Sequence, residues 1–297
     1  MKPEKRSTEV TDGRPLSRRE FTSLSLAACV AAAGPLDVAQ AAAEISDENV
    51  DVHTPAGVCD AALVRPQGQG SWPAAILFSD AFGLRPTMRE MAARLARQGY
   101  TVLVPNPFYR KTKAPGTGPG FDFQNPADLA KLKELQAPLT NDGVMQDAVA
   151  YAAFLDRHPA VKKSARMGAF GYCMGGKMTM QAAAGVPDRI GAGASFHGGG
   201  LATDKPDSPH LLVPKMKAQF YFGIAASDDQ REPEAKTKLA EAFRAAHLTA
   251  KIEVYEGALH GWCVKDVPSL PGKLGYNEAL AERAWKELTA LFKRTVV

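Results

Sequence analysis

The sequence has no marked excess of charge of either sign. Its 36 lysines and arginines stand against 32 aspartates and glutamates in 297 residues, which gives a formal net charge of +4. So small a balance argues against nucleic acid or an anionic membrane as a partner. The apolar stretches are too short to cross a bilayer, so we expect no stable membrane span. What the chain does have is a hydrophobic fraction of 45%, enough for a large core.

Cofactor motifs are also missing from the sequence. The glycine-rich turns lack the Lys-Ser/Thr pair of a phosphate loop, and the His, Cys and acidic residues do not follow metal-ligand spacing, so we expect no cofactor and no metal. Cysteine is scarce, with four in the chain. Leaving Cys29 aside, an odd number remains, so at least one thiol stays unpaired in an oxidising compartment. A Cys59–Cys263 disulfide is the only pairing that spares Cys173, and the sequence does not establish it.

The N-terminal segment has the features of an export signal. The paired arginines of 17–22 (SRREFT) precede a mildly apolar stretch, 24–34, and small-residue cleavage sites follow at 39–41 and 41–43. A positive region, a short apolar region and an A-x-A site make a signal peptide, and the arginine pair indicates the Tat route. We therefore expect residues 1–43 to engage the Tat export machinery, which carries proteins already folded.

Export would place the mature domain, 44–297, in the periplasm or outside the cell. Two alternatives stay open for the N-terminal segment. Residues 26–29 (LAAC) also fit a lipoprotein cleavage box that would anchor the protein at Cys29, although the apolar stretch continues past that residue. The segment could otherwise be a plain arginine-containing tail.

Apolar runs of strand length alternate with helical patterns through the mature chain. The predicted strands are 58–65, 74–79, 101–106, 166–172, 190–196, 218–225 and 250–255. The predicted helices are 87–98, 142–157, 174–185, 233–246 and 277–293. This alternation predicts a single α/β domain whose mostly parallel sheet carries helices on both faces. We expect the Gly/Pro-rich stretch 115–126 to be a surface loop beside the strand ends.

Polar residues follow the predicted strands at their carboxyl ends, where the active residues of such sheets collect. In chain order they are Asp80, Asn106 with Arg110, Cys173, His197, Asp228 with Asp229, and His260. An acid, a thiol and an imidazole are thereby brought to one edge of the sheet. The sequence therefore predicts a catalytic site at that edge.

Cys173 stands at the centre of the run GAFGYCMGGKM, 168–178, between a predicted strand and a predicted helix. The flanking Gly171 and Gly175 leave room for the tight turn of a nucleophile elbow. The N-terminus of the helix favours a thiolate, and the backbone N–H of Met174 faces the same reacting centre. The pattern indicates a nucleophilic cysteine, although a buried structural cysteine would fit the bare motif.

The order of residues along the chain supports this interpretation. In α/β-hydrolases the acid and then the histidine follow the nucleophile, and Asp228 and His260 satisfy that order after Cys173. His260 follows the last predicted strand, from which an imidazole could act as general base. Asp228 is the first acid after its strand, and Asp229 is the alternative.

These motifs resemble the dienelactone hydrolase family over essentially all of residues 50–295. The matching stretches are 78–110, which runs from FSDAFGL to NPFYR, then 168–178, the region of Asp228, and 255–262 (YEGALHGW). The resemblance implies an α/β-hydrolase fold and a carboxylic ester hydrolase with a Cys-His-Asp triad. Such an enzyme would open small esters or lactones through a thioester acyl-enzyme.

The family pattern implies roles for further residues. The backbone N–H groups of Ala81 and Met174 would form the oxyanion hole. Arg110 matches a position at which the family binds the substrate carboxylate, a task suited to a guanidinium fork. We also expect His197 and Trp262 to contact the substrate.

Two positions depart from the family. A glutamate that receives the thiol proton in well-known members is Asp80 here, one methylene shorter. Asp80 could still hold the Cys173 thiol protonated until substrate binds, which would limit oxidation outside the cytoplasm. A second arginine of the family, four residues after the histidine, is Val264 here, which weakens the case for a dicarboxylate-like substrate.

The predicted function is hydrolysis of small activated esters or lactones by a monomer whose partner is that small molecule. Two other classes stay open. An exported redox protein could pair Cys173 with Cys263, although the chain has no Cys-x-x-Cys motif and a redox role needs no triad order. A binding protein of the same fold could keep the pocket without turnover.

Overall fold

The computed structural model of the protein describes residues 44–118 and 120–296. The predicted signal peptide, 1–43, lies outside the described residues. The strands are β1 (Ile45–Thr54), β2 (Gly57–Pro66), β3 (Ala74–Phe78), β4 (Thr101–Pro105), β5 (Met167–Tyr172), β6 (Ile190–Phe196), β7 (Gln219–Ala225) and β8 (Ala250–Tyr255). The helices are α1 (Pro86–Ala96), α2 (Pro126–Gln136), α3 (Asn141–Arg157), α4 (Met174–Gly185), α5 (Ala226–Arg231), α6 (Ala235–Ala245) and α7 (Glu278–Thr295), with a 3-10 helix at Pro209–Lys215.

The eight strands form one sheet in the order β1-β2-β4-β3-β5-β6-β7-β8. β2 pairs antiparallel with both β1 and β4, and the other neighbouring pairs are parallel. The carboxyl ends of β3 and of β5 to β8 therefore lie at the same edge of the sheet. The predicted α/β-hydrolase fold, a single domain with a mostly parallel sheet, is confirmed.

Helices cover both faces of the sheet because successive strand residues point to opposite sides. In β2, Leu63 packs into one core and Val64 into the other. The first core also holds side chains of α3, α4 and α6, such as Tyr151. The second holds side chains of α1 and α7, such as Trp285. All seven predicted strands and all five predicted helices are present, with ends shifted by at most two residues.

β1 is the main element that the apolar pattern does not predict. It reads ISDENVDVHT, and Val52 is the one residue of the ten that is buried. An edge strand with so little apolar alternation gives almost no periodic signal. Continuous antiparallel pairing with β2, from Ile45 opposite Pro66 to Thr54 opposite Gly57, holds it in the sheet.

The described end of the Gly/Pro-rich stretch, 120–125, leads into α2, which the sequence does not predict either. Asn125 caps this helix by accepting a hydrogen bond from the Ala127 N–H, and a proline follows at its first position. Within the loop, Phe121 and Phe123 pack edge-to-face against Phe82 after β3, with ring centroids 5.8 and 5.4 Å away. The loop therefore lies beside the strand ends, as expected, and brings two aromatic rings to them.

The cysteines Cys59, Cys173 and Cys263 are all unpaired. The Tyr151 hydroxyl donates a hydrogen bond to the Cys59 sulfur over 3.4 Å in the first core, whereas Cys263 lies in the second core. Because the sheet separates the two cores, the disulfide between Cys59 and Cys263 does not form. Burial raises the pKa of Cys59 to about 12 and that of Cys263 well above its usual value, so both are unreactive thiols.

In the part of the chain that the structure describes, every helix is too short or too polar to cross a membrane.

Candidate active site

Cys173 sits on a sharp turn between β5 and α4, with φ at +54° and ψ at −120°. This left-handed conformation is costly for a residue with a side chain, and it turns the thiol out of the strand direction. Glycines make the turn possible. A Cβ on Gly171 would lie 2.2 Å from the Gly175 carbonyl oxygen, and one on Gly175 would lie 2.2 Å from the Phe78 carbonyl oxygen. The local sequence therefore specifies the tight strand-to-helix turn that the elbow motif predicts.

His260 follows β8 and reaches Asp228, which lies in the first turn of α5 directly after β7. The imidazole Nδ1 is 2.9 Å from Asp228 Oδ2 and 3.1 Å from Oδ1. The backbone N–H of His260 donates to the Ser227 hydroxyl over 3.0 Å, which fixes the loop that carries the ring. The carboxylate is buried and fixes both the tautomer and the direction of the imidazole.

The neighbouring acid has a different contact. Both oxygens of Asp229 accept hydrogen bonds from Lys236 over 2.7 Å. Asp228 also accepts one from Arg231, at the end of the same short helix. Of the two candidate acids, the structure brings Asp228 to the histidine.

The environment of His260 favours its charged form. Burial by itself would lower the pKa of His260, but hydrogen bonds with the side chains of Asp228 and Cys173, together with their charges, raise it to about 10. Because Nδ1 faces Asp228, Nε2 is the nitrogen left for the thiol. The imidazole is thus suited to take the proton of Cys173 and to hold it beside a thiolate.

His197 supports the elbow from within the fold. Its Nδ1 accepts a hydrogen bond from the backbone N–H of Cys173 over 3.1 Å, and the Phe196 carbonyl oxygen shares that N–H at the same distance. Its ring contacts that of His260 edge-to-face, with centroids 4.9 Å apart. Burial and the nearby His260 charge keep the pKa of His197 well below its usual value. A neutral ring that accepts at Nδ1 carries its proton on Nε2. His197 borders the cavity, but only 1% of its surface is exposed. Its Nδ1 bonds the Cys173 turn, so the structure gives His197 a contact with the turn where the sequence predicts one with the substrate.

Trp262 does not reach the cavity, contrary to the expectation from the sequence. It has no exposed surface, and its ring packs against those of His197 and Tyr255, with centroids 5.3 and 4.9 Å away. Its position two residues after His260 places it on the core side of the loop. Trp262 is therefore part of the core behind His197.

The two predicted oxyanion donors belong to the two segments that meet at Cys173. Ala81 follows β3 and lines the same cavity as Cys173, and Met174 is the first residue of α4. Over residues 44–118 and 120–296, neither backbone N–H donates to a carbonyl group in a turn or loop. Both donors are thus available to a ligand at the sheet edge.

Asp80 also lines this cavity, but Arg85 occupies its carboxylate. Arg85 Nη1 lies 2.7 Å from Oδ1 and Nη2 lies 2.9 Å from Oδ2, and the Phe82 N–H donates to Oδ1 over 3.0 Å. Burial raises the pKa of Asp80, an effect that Arg85 opposes. Among the described residues, Asp80 makes no hydrogen bond to Cys173. The structure therefore contains an ion pair between Asp80 and Arg85 in place of the expected contact between Asp80 and the Cys173 thiol.

The Arg110 guanidinium is also paired with another side chain. Its guanidinium forks onto Asp147 of α3, with Nη1 2.7 Å from Oδ2 and Nη2 2.8 Å from Oδ1. Asp147 is buried and also accepts a hydrogen bond from the Tyr109 hydroxyl over 2.7 Å. Arg110 is not among the residues that line the cavity. The expected carboxylate-binding role has no support in this arrangement, because Asp147 already occupies the fork.

The cavity beside Cys173 has a volume of about 210 Å³ and mainly apolar walls. Apolar side chains come from the β3 end, the 115–126 loop and the segment after His260: Phe82, Phe123, Val267, Leu270 and Leu274. Arg231 and Lys273 are the cations that border it. At this cavity and throughout the described ranges, His, Cys, Asp and Glu side chains do not gather in groups of three or more that could hold a metal ion.

Comparison with known proteins identifies the family. The model of the dienelactone hydrolase family matches residues 59–296. A Methylorubrum extorquens protein named "Putative carboxymethylenebutenolidase" is 27% identical over 289 residues, which cover 94% of this chain and 93% of the relative. The carboxymethylenebutenolidase of Rhodococcus opacus is 26% identical over 227 residues, which cover 76% and 82% of the two chains.

Solved structures agree on the fold. The crystal structure titled "Putative Dienelactone Hydrolase", from Klebsiella pneumoniae subsp. pneumoniae, superposes with a TM-score of 0.71 at 24% identity. The match covers 84% of this chain and 99% of that one. The chain therefore belongs to the dienelactone hydrolase family and is a carboxylic ester hydrolase.

Proposed function

We propose that the protein hydrolyses small uncharged esters and lactones through a Cys173–His260–Asp228 triad. The observation that carries the proposal is the position of His260. One ring nitrogen is 2.9 Å from Asp228, the ring lines the same cavity as Cys173 on its strained turn, and Cys173 is among the groups that raise the pKa of the imidazole. An acid, a base and a nucleophile in this sequence of contacts form the arrangement that activates a thiol.

The reaction has two steps. The Cys173 thiolate attacks the substrate carbonyl carbon and forms a C–S bond, while the C–O bond to the leaving group breaks and His260 Nε2 gives its proton to the leaving oxygen. A water molecule then loses a proton to His260 and attacks the thioester carbonyl. The C–S bond breaks, the acid product leaves, and the sulfur returns as a thiolate beside the imidazolium.

Negative charge develops on the carbonyl oxygen in both steps. The N–H groups of Ala81 and Met174 would stabilise it, because Ala81 lines the cavity with Cys173, Met174 directly follows Cys173, and neither N–H donates to a carbonyl group in the described turns and loops. Donors fixed by the backbone cost little reorganisation when the charge appears. The N-terminus of α4 adds a partial positive charge at the same point.

The residues around the cavity favour an uncharged substrate. At about 210 Å³, the cavity has the volume of about seven liquid waters, which limits it to small molecules. Arg110 is paired with Asp147, and Val264, where the family has its second arginine, is buried. Lys273 is exposed at the rim, where water screens its charge. We therefore infer that apolar contacts with Phe123, Leu270 and their neighbours bind the acyl or alcohol portion.

Trapping the acyl-enzyme tests the mechanism. Intact-mass and peptide measurements during turnover of an activated ester should show the acyl mass on Cys173, and the Cys173→Ala variant should show neither adduct nor hydrolysis. Cys263→Ala is the matched control and should behave as the native protein. An ester hydrolase whose rate survives loss of the Cys173 thiol would exclude the triad.

A substrate pair tests the inferred specificity. A neutral ester and its analogue with an added carboxylate are compared by kcat/KM. We expect the neutral ester to be preferred by about tenfold or more, since the two basic side chains that border the cavity, Arg231 and Lys273, are exposed to water and would compensate little of the cost of burying the carboxylate. Lys273→Gln should change the ratio less than about twofold. A preference for the carboxylate that disappears in Lys273→Gln would instead assign the lysine to substrate binding.

The N-terminal segment supports a further proposal about location. Its arginine pair, apolar stretch and cleavage sites favour export through the Tat pathway and function in the periplasm or outside the cell. Fractionation of cells that express the full chain should find the processed protein outside the cytoplasm, and replacing Arg18 and Arg19 with lysine should retain it inside. Processed protein that carries a lipid on Cys29 would replace this proposal with anchoring.

A further inference from the structure

Arg85 joins two carboxylates that belong to different walls of the active-site cavity. Its Nη1 and Nη2 bind the two oxygens of Asp80 over 2.7 and 2.9 Å, and its Nε and Nη2 bind those of Asp266 over 2.7 Å each. The Arg85 side chain is 11% exposed and the Asp80 side chain 4%. A nearly buried, doubly bidentate arginine is a rigid and strong contact.

The first of these carboxylates lies close to the chemistry. Asp80 lines the same cavity as Cys173 and directly precedes Ala81, whose N–H would serve the oxyanion hole. A carboxylate without a counter-charge in this cavity would disfavour the thiolate, since two negative charges would share one poorly solvated space. It could also accept the thiol proton. Neither occurs while Arg85 takes both oxygens.

We propose that Arg85 is a positioning residue that holds the Asp80 carboxylate away from the Cys173 sulfur and neutralises it, so that the resting thiol is ready to react. The inference rests on the proposed role of Cys173 as nucleophile. It reverses the expectation that Asp80 keeps the thiol protonated, and it assigns the control of thiol reactivity to a residue outside the triad.

The second carboxylate explains why the arginine stays in place. Asp266 belongs to the segment that supplies Val267, Leu270 and Leu274 to the cavity wall. Leu270 and Leu274 exchange two backbone hydrogen bonds of 2.9 Å, which closes this segment into a compact turn. Asp266 in this segment and Asp80 after β3 therefore hold Arg85 in place together.

The pH dependence of Cys173 alkylation tests the proposal. The full chain reacts with iodoacetamide over a range of pH, and peptide mass spectrometry follows carbamidomethylation at Cys173. Other charged or titratable groups around the thiol are His197, Asp228, Arg231, His260 and Lys273, and they remain the same in every variant. Cys59 and Cys263 are buried and provide an internal check that the protein is folded.

Arg85→Met should move the midpoint of the alkylation profile upward by about one pH unit, which makes the reaction about tenfold slower near neutral pH. Adding Asp80→Asn in the double variant should restore the native midpoint, because the exposed negative charge is then gone. A structural defect would instead show as alkylation of the buried Cys59 and Cys263, which should stay protected when only the charge beside Cys173 changes. Arg89→Met is the matched control, since Arg89 lies one turn further along α1 and pairs with Asp47 on the surface.

An unchanged midpoint in Arg85→Met, or a double variant that keeps the shifted midpoint, would overturn the proposal. Should Arg85→Met fail to fold, Arg85→Gln removes the same charge while retaining hydrogen-bond donors, and the same shift and the same rescue are expected. The readout needs no ester turnover. Hydrolysis that survives in Cys173→Ala would therefore refute the proposed mechanism separately from the effect of Arg85 on the thiol.

Discussion

The backbone N–H of Cys173 donates a hydrogen bond to Nδ1 of His197 over 3.1 Å. The acceptor follows β6, the strand next to the one that ends at the elbow, and His197 itself has a positive φ of 41°. Two residues with positive φ, each directly after one of two adjacent strands, therefore hold each other in place. Strain of this kind persists only where the surroundings over-determine it, and it is concentrated at functional sites.

Replacing His197 tests whether this contact positions the nucleophile. His197→Leu removes the acceptor, and we expect kcat/KM to fall about 10- to 100-fold and the free energy of unfolding to fall by about 1–2 kcal/mol, because the Phe196 carbonyl still shares the N–H. His197→Asn can keep both an acceptor and the positive φ. It should retain most of the activity, as measured by ester hydrolysis and thermal unfolding. Equal losses in both variants would argue against the hydrogen bond.

The two adjacent acids provide a matched pair of variants. Asp228→Asn leaves Nδ1 of His260 with no charged partner, and we expect kcat to fall roughly 10²- to 10⁴-fold, since the base loses both its orientation and much of the stabilisation of its charged form. Asp229→Asn should alter kcat little and stability by less than about 1 kcal/mol, because it breaks only a half-exposed ion pair with Lys236. The comparison uses hydrolysis at saturating substrate. Reversed effects would move the triad acid to Asp229.

Much of the fold follows from local patterns. Apolar strand runs alternate with amphipathic helices, so the seven predicted strands and five predicted helices are present. β1 is held by pairing with β2 rather than by its own apolar residues, and such pairing leaves no periodic signal. The short helix α5 starts directly after β7 and has no repeat to detect.

The contacts of individual side chains were harder to predict. Placement at strand ends is a property of topology, so the positions of Cys173 and His260 could be inferred from chain order. Arg110 also follows a strand, but Asp147 of α3 occupies its guanidinium. The local sequence around either residue does not show that α3 packs beside Arg110. Arg85 and Asp266 are 181 residues apart, which hides their contact in the same way.

The pKa of His260 should depend on the thiol. Hydrogen bonding and charge from Cys173 are among the effects that raise this pKa to about 10, so Cys173→Ser, whose hydroxyl stays neutral, should lower it by about one unit or more. Asp228→Asn should lower it as well. Nitrogen chemical shifts of the imidazole against pH measure the change. A pKa that remains near 10 in the serine variant would show that sulfur and imidazole do not interact.

The protonation of His260 should also make the free energy of unfolding depend on pH. The folded-state pKa of His260 is raised above its usual value of 6.5 to about 10, so its stabilising contribution is fully present below pH 6.5 and is lost as pH rises toward 10. The difference in free energy of unfolding between the native protein and Asp228→Asn should therefore shrink, by on the order of a few kcal/mol, over that interval. Urea unfolding at a series of pH values measures it. A difference that grows with pH would contradict the assigned direction.

Arg110 should matter for folding more than for substrate recognition. Its partner Asp147 has a side chain that is 3% exposed, so Arg110→Met leaves a buried charge without compensation. We expect a loss of about 3–5 kcal/mol in the free energy of unfolding. The kcat/KM ratio between a neutral ester and its carboxylate-bearing analogue should change less than about twofold, since the guanidinium does not line the cavity.

A double variant separates the two roles of Arg110. In Arg110→Met with Asp147→Asn, the charge is gone while an acceptor remains for the Tyr109 hydroxyl, so a large part of the lost stability should return. A substrate-binding arginine would give the opposite pattern. Its loss would raise KM for the carboxylate-bearing ester by tenfold or more at nearly native stability, and removing Asp147 would not correct that defect. Because the native fork is already filled by a buried aspartate, we expect the stability pattern.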